Sequence, residues 1–129
     1  MIADQVLVVE DDPPIRTLIM RTLERAGYKT EAAEDGSVAI EKLKRAEYSL
    51  ILLDIMMPRV DGFGVLDYMN ENEPETLRKT IIASAMPMAE LRNRLKYEVC
   101  QILPKPFEID QLVQWAGRCS RATRIEQNS

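Results

Sequence analysis

Four places along this 129-residue chain carry groups that could do chemistry together: the acidic run Glu10-Asp11-Asp12, then Asp54, Ser84 and Lys105. Carboxylates brought close together repel and raise one another's pKa unless a cation binds between them. An oxygen-lined site with no imidazole or thiolate suits a hard ion such as magnesium, which takes one or two carboxylates plus phosphate oxygens. A carboxylate beside magnesium, an ammonium and a hydroxyl is a set suited to phosphoryl transfer onto that carboxylate. Asp54 would attack phosphorus in line, magnesium and Lys105 would neutralise the equatorial oxygens, and Ser84 would donate a hydrogen bond to one of them. No general base is needed, because the nucleophile is already ionised; the chain contains no histidine. Taken singly, each residue has a plainer role. Asp12 caps a helix, Asp54 caps a loop, Lys105 is a surface lysine and Ser84 a loop hydroxyl. Their combination is what points to chemistry.

The elements that must position these groups follow from the pattern of apolar residues. Five short apolar segments recur at residues 6–9, 29–33, 50–53, 81–83 and 102–103. Helical spacing fills the gaps. Ile15, Leu18, Ile19 and Leu23 mark a first helix that ends near Gly27, with Asp12-Pro13-Pro14 as cap and first turn. Val38, Ile40, Leu43 and Ala46 mark a second. Asp61-Gly62 opens a third carrying Phe63, Leu66 and Met69. Leu91, Leu95 and Val99 give a thin fourth, and Ile109, Leu112, Val113 and Ala116 a fifth. Strands alternating with helices make βαβ units, hence an α/β fold: a five-stranded parallel sheet, doubly wound, with helices on both faces. Ligands on such sheets bind at the carboxyl ends of the strands. The first strand ends in Glu10-Asp11-Asp12, the third in Asp54, the fourth in Ser84 and the fifth in Lys105, so all four places meet at one end.

Composition sets the outer limits. The chain is 14.8 kDa, 46% hydrophobic and 29% charged, which is one ordinary domain and too little for two. No apolar run approaches the ~18 residues of a membrane span. Met1-Ile2-Ala3-Asp4 lacks the basic and apolar regions of a signal peptide, so a cytoplasmic location is expected. A net charge of −4 gives no basis for nucleic-acid binding by this domain. Cys100 and Cys119 stand far apart, outside any C-x-x-C pattern, and read as buried or half-buried free thiols.

The chain resembles the receiver domain of bacterial two-component response regulators, relatives of the chemotaxis regulator. The similarity covers roughly residues 2–121. It is carried by Val6-Leu7-Val8-Val9-Glu10-Asp11-Asp12-Pro13, Leu50-Ile51-Leu52-Leu53-Asp54-Ile55-Met56-Met57-Pro58 with Asp61-Gly62, Ile81-Ile82-Ala83-Ser84-Ala85, and Leu103-Pro104-Lys105-Pro106-Phe107. The resemblance implies a flavodoxin-like strand order 2-1-3-4-5. It implies Asp54 as phosphoacceptor for a sensor histidine kinase or histidine phosphotransfer protein. Magnesium would be held by Glu10, Asp11, Asp54 and the Met56 backbone carbonyl, with Asp11 the direct ligand and Glu10 acting through water. Ser84 would be the switch hydroxyl, Lys105 the phosphate-pairing lysine, and the Lys105–Pro106 bond cis. A downstream target or effector domain would read the outcome, with a dimer or partner surface on the fourth helix, fifth strand and fifth helix. Such a domain acts only on itself and is not an enzyme in the usual sense. Residues 1–121 would form the receiver and 122–129 a polar tail or the start of a linker. Because the first strand begins almost at Met1, a single-domain regulator or the N-terminal receiver of a longer one is expected.

Three features depart from the family pattern. Ile102 stands where the family has its aromatic switch residue. Tyr97-Glu98-Val99-Cys100 replaces the usual Gly-Ala pair. Met56 and Met86, each two residues after a site residue, could shield the phosphoryl group from water. Arg92, Arg94 and Lys96 read as a solvated basic face, and Trp115 as packed at the edge of the core. Among rival readings, an aspartyl-nucleophile phosphatase would need an acid at position 56, which is methionine. A flavin module would need a glycine-rich phosphate loop where the acidic run stands. A receiver-like interaction scaffold not regulated by phosphorylation stays open as the alternative, through Ile102.

Overall fold

The computed structural model describes residues 4–128, with side chains to Ser120; the expected tail, residues 122–129, lies outside the described side chains. Five strands, β1 (Gln5–Val9), β2 (Lys29–Ala33), β3 (Leu50–Asp54), β4 (Thr80–Ser84) and β5 (Gln101–Pro104), form one parallel sheet in the order β2-β1-β3-β4-β5. Five helices alternate with them: α1 (Pro13–Arg25), α2 (Gly36–Arg45), α3 (Gly62–Asn72), α4 (Met88–Arg94) and α5 (Ile109–Asn128). The α/β fold is the one the sequence pattern implies, and the strand order is the one the family resemblance implies.

Each strand's alternation sorts its side chains between two separate cores. Leu7, Val9, Ile51, Leu53 and Ile82 point into the layer under α2, α3 and α4. Val6, Val8, Leu50, Leu52 and Ile81 point into the layer under α1 and α5. Central strands are covered on both sides, which is why β3 and β4 are buried along their whole length and read as unbroken apolar runs.

Side-chain capping explains where α1, α2 and α3 begin. Asp12 Oδ1 accepts from the Ile15 N–H at 3.4 Å, Asp35 Oδ1 from Val38 at 3.0 Å, and Asp61 Oδ1 from Gly64 at 3.1 Å. The first helix stops before Gly27, which takes φ 101°, a left-handed value that costs glycine little.

Three expectations need correction, and one element was not anticipated. Leu18 sits in the apolar stripe of α1 but is 54% exposed, because only Ile19 and Leu23 on that helix are fully buried. The fourth helix ends at Arg94, and Leu95 is already extended. Tyr97 donates to Asp67 Oδ1 at 2.6 Å and Cys100 N–H to Thr80 O at 2.9 Å, so residues 95–100 are held against α3 and β4 instead of continuing the helix. A 3-10 helix over Pro74–Lys79, absent from the sequence reading, bridges α3 and β4. Finally, Cys100 and Cys119 are not free thiols: their Cα atoms lie 6.0 Å apart and their sulfurs are bonded. Eighteen intervening residues hid this pairing, because β5 and α5 fold back on each other.

Gly62 roots the loop that follows β3. A Cβ there would lie 2.6 Å from Ile55 Cα and 2.7 Å from Asp54 O, both backbone atoms that cannot swing away. Gly62→Ala is therefore expected to cost about 1–3 kcal/mol as an overpacked site. Urea unfolding should show a lower midpoint, and an unchanged midpoint would mean that the loop shifts freely.

Candidate functional site

At the carboxyl end of the sheet, the strands deliver the groups that the spacing anticipated. Glu10 follows β1 and is 2% exposed; Asp54 ends β3 and is 6% exposed. Asp11 lies beside them on the surface. Carboxylate oxygens of Glu10, Asp11 and Asp54 lie within 4.8 Å of one another. Lys105, just beyond β5, reaches across the sheet end, with Nζ 2.7 Å from Glu10 Oε1 and 3.6 Å from Asp54 Oδ2. The Lys105–Pro106 peptide bond is cis. Ser84, at the end of β4, is fully buried, and its Oγ accepts the Met86 N–H at 3.0 Å. Its carbonyl accepts the Lys105 N–H at 2.8 Å, which ties the two strand ends together.

Three carboxylates against one ammonium leave the cluster under-compensated. Burial pushes the Glu10 carboxyl up to about 7, helped by its hydrogen bond with Asp54 and by that residue's charge, while Lys105 pulls the other way. Burial alone would lower the Lys105 pKa; the hydrogen bond to Glu10 and the charges of Asp54 and Glu10 outweigh it, and the pKa is raised. Glu10 Oε2 is buried with no hydrogen-bond partner. A buried carboxylate oxygen without a donor costs free energy unless something positive reaches it. The donor set is all oxygen, and the described residues contain no histidine and no free cysteine. It fits a hard divalent cation.

The loop from Met56 to Gly62 is pinned at three points. Met56 N–H donates to Asp54 Oδ1 at 3.2 Å, and Gly62 N–H to Ile55 O at 2.9 Å. At the tip, Gly36 N–H donates to Val60 O at 3.0 Å. Next to it Arg59 holds φ 61°, unusual for a non-glycine residue, with its Nε 3.5 Å from the buried Asp35 Oδ2. The backbone at Met56 is thereby fixed beside Asp54.

The two methionines flanking the site differ. Met56 is 56% exposed, whereas Met86 is buried in the α2–α4 core. Both line a cavity of about 420 Å³ together with Asp11, Phe63 and Arg94. Arg92, Arg94 and Lys96 are exposed, as a solvated basic face requires, and Arg94 also stacks over the Phe63 ring at 4.3 Å and pairs with Glu90 at 3.9 Å. Trp115 packs at the edge of the α1–α5 core as expected, beneath Arg118 at 4.9 Å. Ile102 is half-buried against the α2–α4 core. The sequence reading missed an apolar groove of about 370 Å³ in which Leu18, Ile15 and Phe107 meet beside Lys105. The only signal for it was a stripe on α1 broader than one core face requires.

Comparison with known proteins agrees with this geometry. The response regulator receiver domain family matches residues 6–116. The chain is 30% identical over 124 residues to response regulator MprA of Mycobacterium ulcerans, covering 96% of this chain but 53% of MprA. It thus spans about half the length of that relative. It is 31% identical over 109 residues to the response regulator receiver protein CpdR of Brucella abortus, covering 84% of this chain and 90% of CpdR. Among solved structures, response regulator TrrA of Thermotoga maritima, in complex with Mg(2+)-BeF, superposes with a TM-score of 0.80 at 29% identity, covering 90% of this chain and 98% of TrrA. With an acidic cluster at the carboxyl ends of a 2-1-3-4-5 sheet and a family match over most of its length, the chain belongs to the receiver domains of two-component response regulators.

Proposed function

We propose that this domain is a phosphorylation-dependent switch that takes a phosphoryl group on Asp54 from a histidine kinase or histidine phosphotransfer protein. The observation that carries the reading is the cluster itself: Glu10, Asp11 and Asp54 within 4.8 Å, with Lys105 bridging Glu10 and Asp54. Asp54 Oδ attacks phosphorus as the donor's P–N bond breaks, forming an acyl phosphate and releasing the donor imidazole. Lys105 moves from its carboxylate partners to a phosphoryl oxygen. Ser84 turns its hydroxyl to a second one, giving up the Met86 N–H. Glu10, Asp11, Asp54 and the Met56 carbonyl would hold magnesium, which would neutralise charge on the transferring group. The magnesium in the TrrA complex supports that assignment.

Loss and regain of these contacts would bias the Ser84 and Lys105 strand ends between two arrangements, which a target or effector domain reads by differential affinity. A partner or dimer surface on α4, β5 and α5 fits that route. In this reading residues 1–121 are the receiver and 122–129 a tail or linker, and the domain works in the cytoplasm on no substrate but itself. No helix among the described residues is long and apolar enough to cross a membrane.

Three outcomes test the reading. Incubation with acetyl phosphate should add one phosphoryl group by intact mass, requiring both magnesium and Asp54. Addition to an Asp54→Asn variant would remove Asp54 from its role, and addition without the metal would remove magnesium from its own. The proton on Glu10 competes with the cation, so magnesium affinity should rise with pH and level off above about 7. The span from pH 6 to the plateau is about tenfold, and Glu10→Gln should flatten it. Titration calorimetry measures both, and a pH-independent affinity would show that Glu10 does not face the ion. Met86→Asn should shorten the phosphorylated lifetime if the methionines exclude water. An equal or longer lifetime would show that they do not.

A further inference from the structure

Cys100 stands directly before β5, and Cys119 lies midway along α5. Their Cα atoms are 6.0 Å apart, inside the span that a disulfide needs, and the two sulfurs are bonded. The two ends differ in access. Cys119 is fully buried in the α1–α5 core, while Cys100 is half-buried at its margin. The bond closes a covalent ring over a sequence separation of 19. Inside that ring lie the whole of β5, Lys105, the cis Lys105–Pro106 bond and the first half of α5.

Noncovalent packing already holds the two ends together. Leu103, Leu112 and Ala116 are buried in the same core, and Ser120 Oγ donates to Ala116 O at 2.8 Å. A domain of this size buries enough apolar surface to fold without a staple, unlike the small secreted domains that depend on one. The bond thus adds restraint to a segment that is already folded. That is the situation in which a dithiol can open and close without loss of the fold.

We propose that Cys100 and Cys119 form a reversible thiol–disulfide modification site, closed by a low-molecular-weight disulfide and opened by a low-molecular-weight thiol, whose closed form restrains the Lys105 segment. The accessible Cys100 thiolate attacks the small disulfide; a Cys100–S–S–R bond forms and one RS⁻ leaves. The Cys119 thiol gives up its proton and attacks the Cys100 sulfur; the protein disulfide forms and the second RS⁻ leaves. Two protein thiols are oxidised, one small disulfide is reduced to two thiols, and the released protons end on them. Reduction runs the same steps backwards. This site goes beyond the phosphorylation reading and does not rest on it.

The test uses the full chain equilibrated in glutathione buffers of graded reduced-to-oxidised ratio, quenched with acid, alkylated with N-ethylmaleimide in denaturant so that buried Cys119 is reached, and weighed intact. The expected result is interconversion, reached from either direction, between a species with two adducts and one with none. In the closed form, amide exchange over residues 101–107 should slow at least about tenfold, since a ring closure removes open states from that segment. Cys100→Ser, at the half-buried position, should abolish both the redox-dependent adducts and the difference in exchange. Two adducts at every ratio, none even in excess thiol, or interconversion with unchanged exchange would each overturn the proposal. None of these readouts involves phosphorylation, so the failure of one reading leaves the other standing.

Discussion

Electrostatic crowding at the carboxyl end of the sheet is the constraint on which the rest depends. Parallel pairing brings the ends of β1 and β3 side by side, and each delivers a carboxylate that is almost fully buried. Two such charges in a poorly solvated place are costly unless paired. Lys105 supplies the compensation from the far edge of the sheet, two strands away from β3. One ammonium among three carboxylates leaves a deficit; burial above all, with Asp54 beside it, raises the Glu10 pKa, and one Glu10 oxygen stays unpartnered. The same deficit makes the place receptive to further positive charge. Stability and chemical readiness are therefore opposed here, and the apolar strands behind the site carry the cost.

A deficit of this kind is useful only if the groups stay put, and the backbone provides for that at close quarters. Gly36 and Gly62 allow α2 and β3 to meet the loop after Asp54 at distances where any Cβ would collide. The Asp35–Arg59 contact offsets the left-handed conformation of Arg59 at the loop tip. Side chains thus define what the site can do, while two glycines and one strained residue define where its loop carbonyls stand.

Much of this was legible in the sequence, and the reason is burial. Strands covered on both faces must be apolar throughout, so Asp54 at the end of Leu50-Ile51-Leu52-Leu53 announces a strand end, and likewise Glu10 after Val6-Leu7-Val8-Val9. Caps such as Asp12 and Asp61 are local chemistry, readable from neighbours alone. What was not legible depends on distant partners. Leu95 and Val99 keep helical spacing, but Tyr97 bonds to Asp67 on α3, a contact that no local pattern encodes. Arg94 is solvated as its neighbours suggest, but its contact over the Phe63 ring depends on α3 standing beneath it. The Cys100–Cys119 pairing needs the β5–α5 crossover folded before the two residues are neighbours. The buried state of Glu10 was likewise hidden, because an acidic triplet reads as surface until the sheet closes over its first member.

The sheet also divides the interior in two. The buried side chains of the α2–α4 layer and those of the α1–α5 layer form separate clusters with no member in common. Substitutions far apart and without shared partners contribute nearly additively to stability. Sequence drift in one layer is therefore almost invisible to the other, and only the strand backbones and their charged ends register both. Over evolutionary time, the two faces of such a domain can be rewritten independently, each against its own surroundings, so long as the few residues at the shared rim are kept.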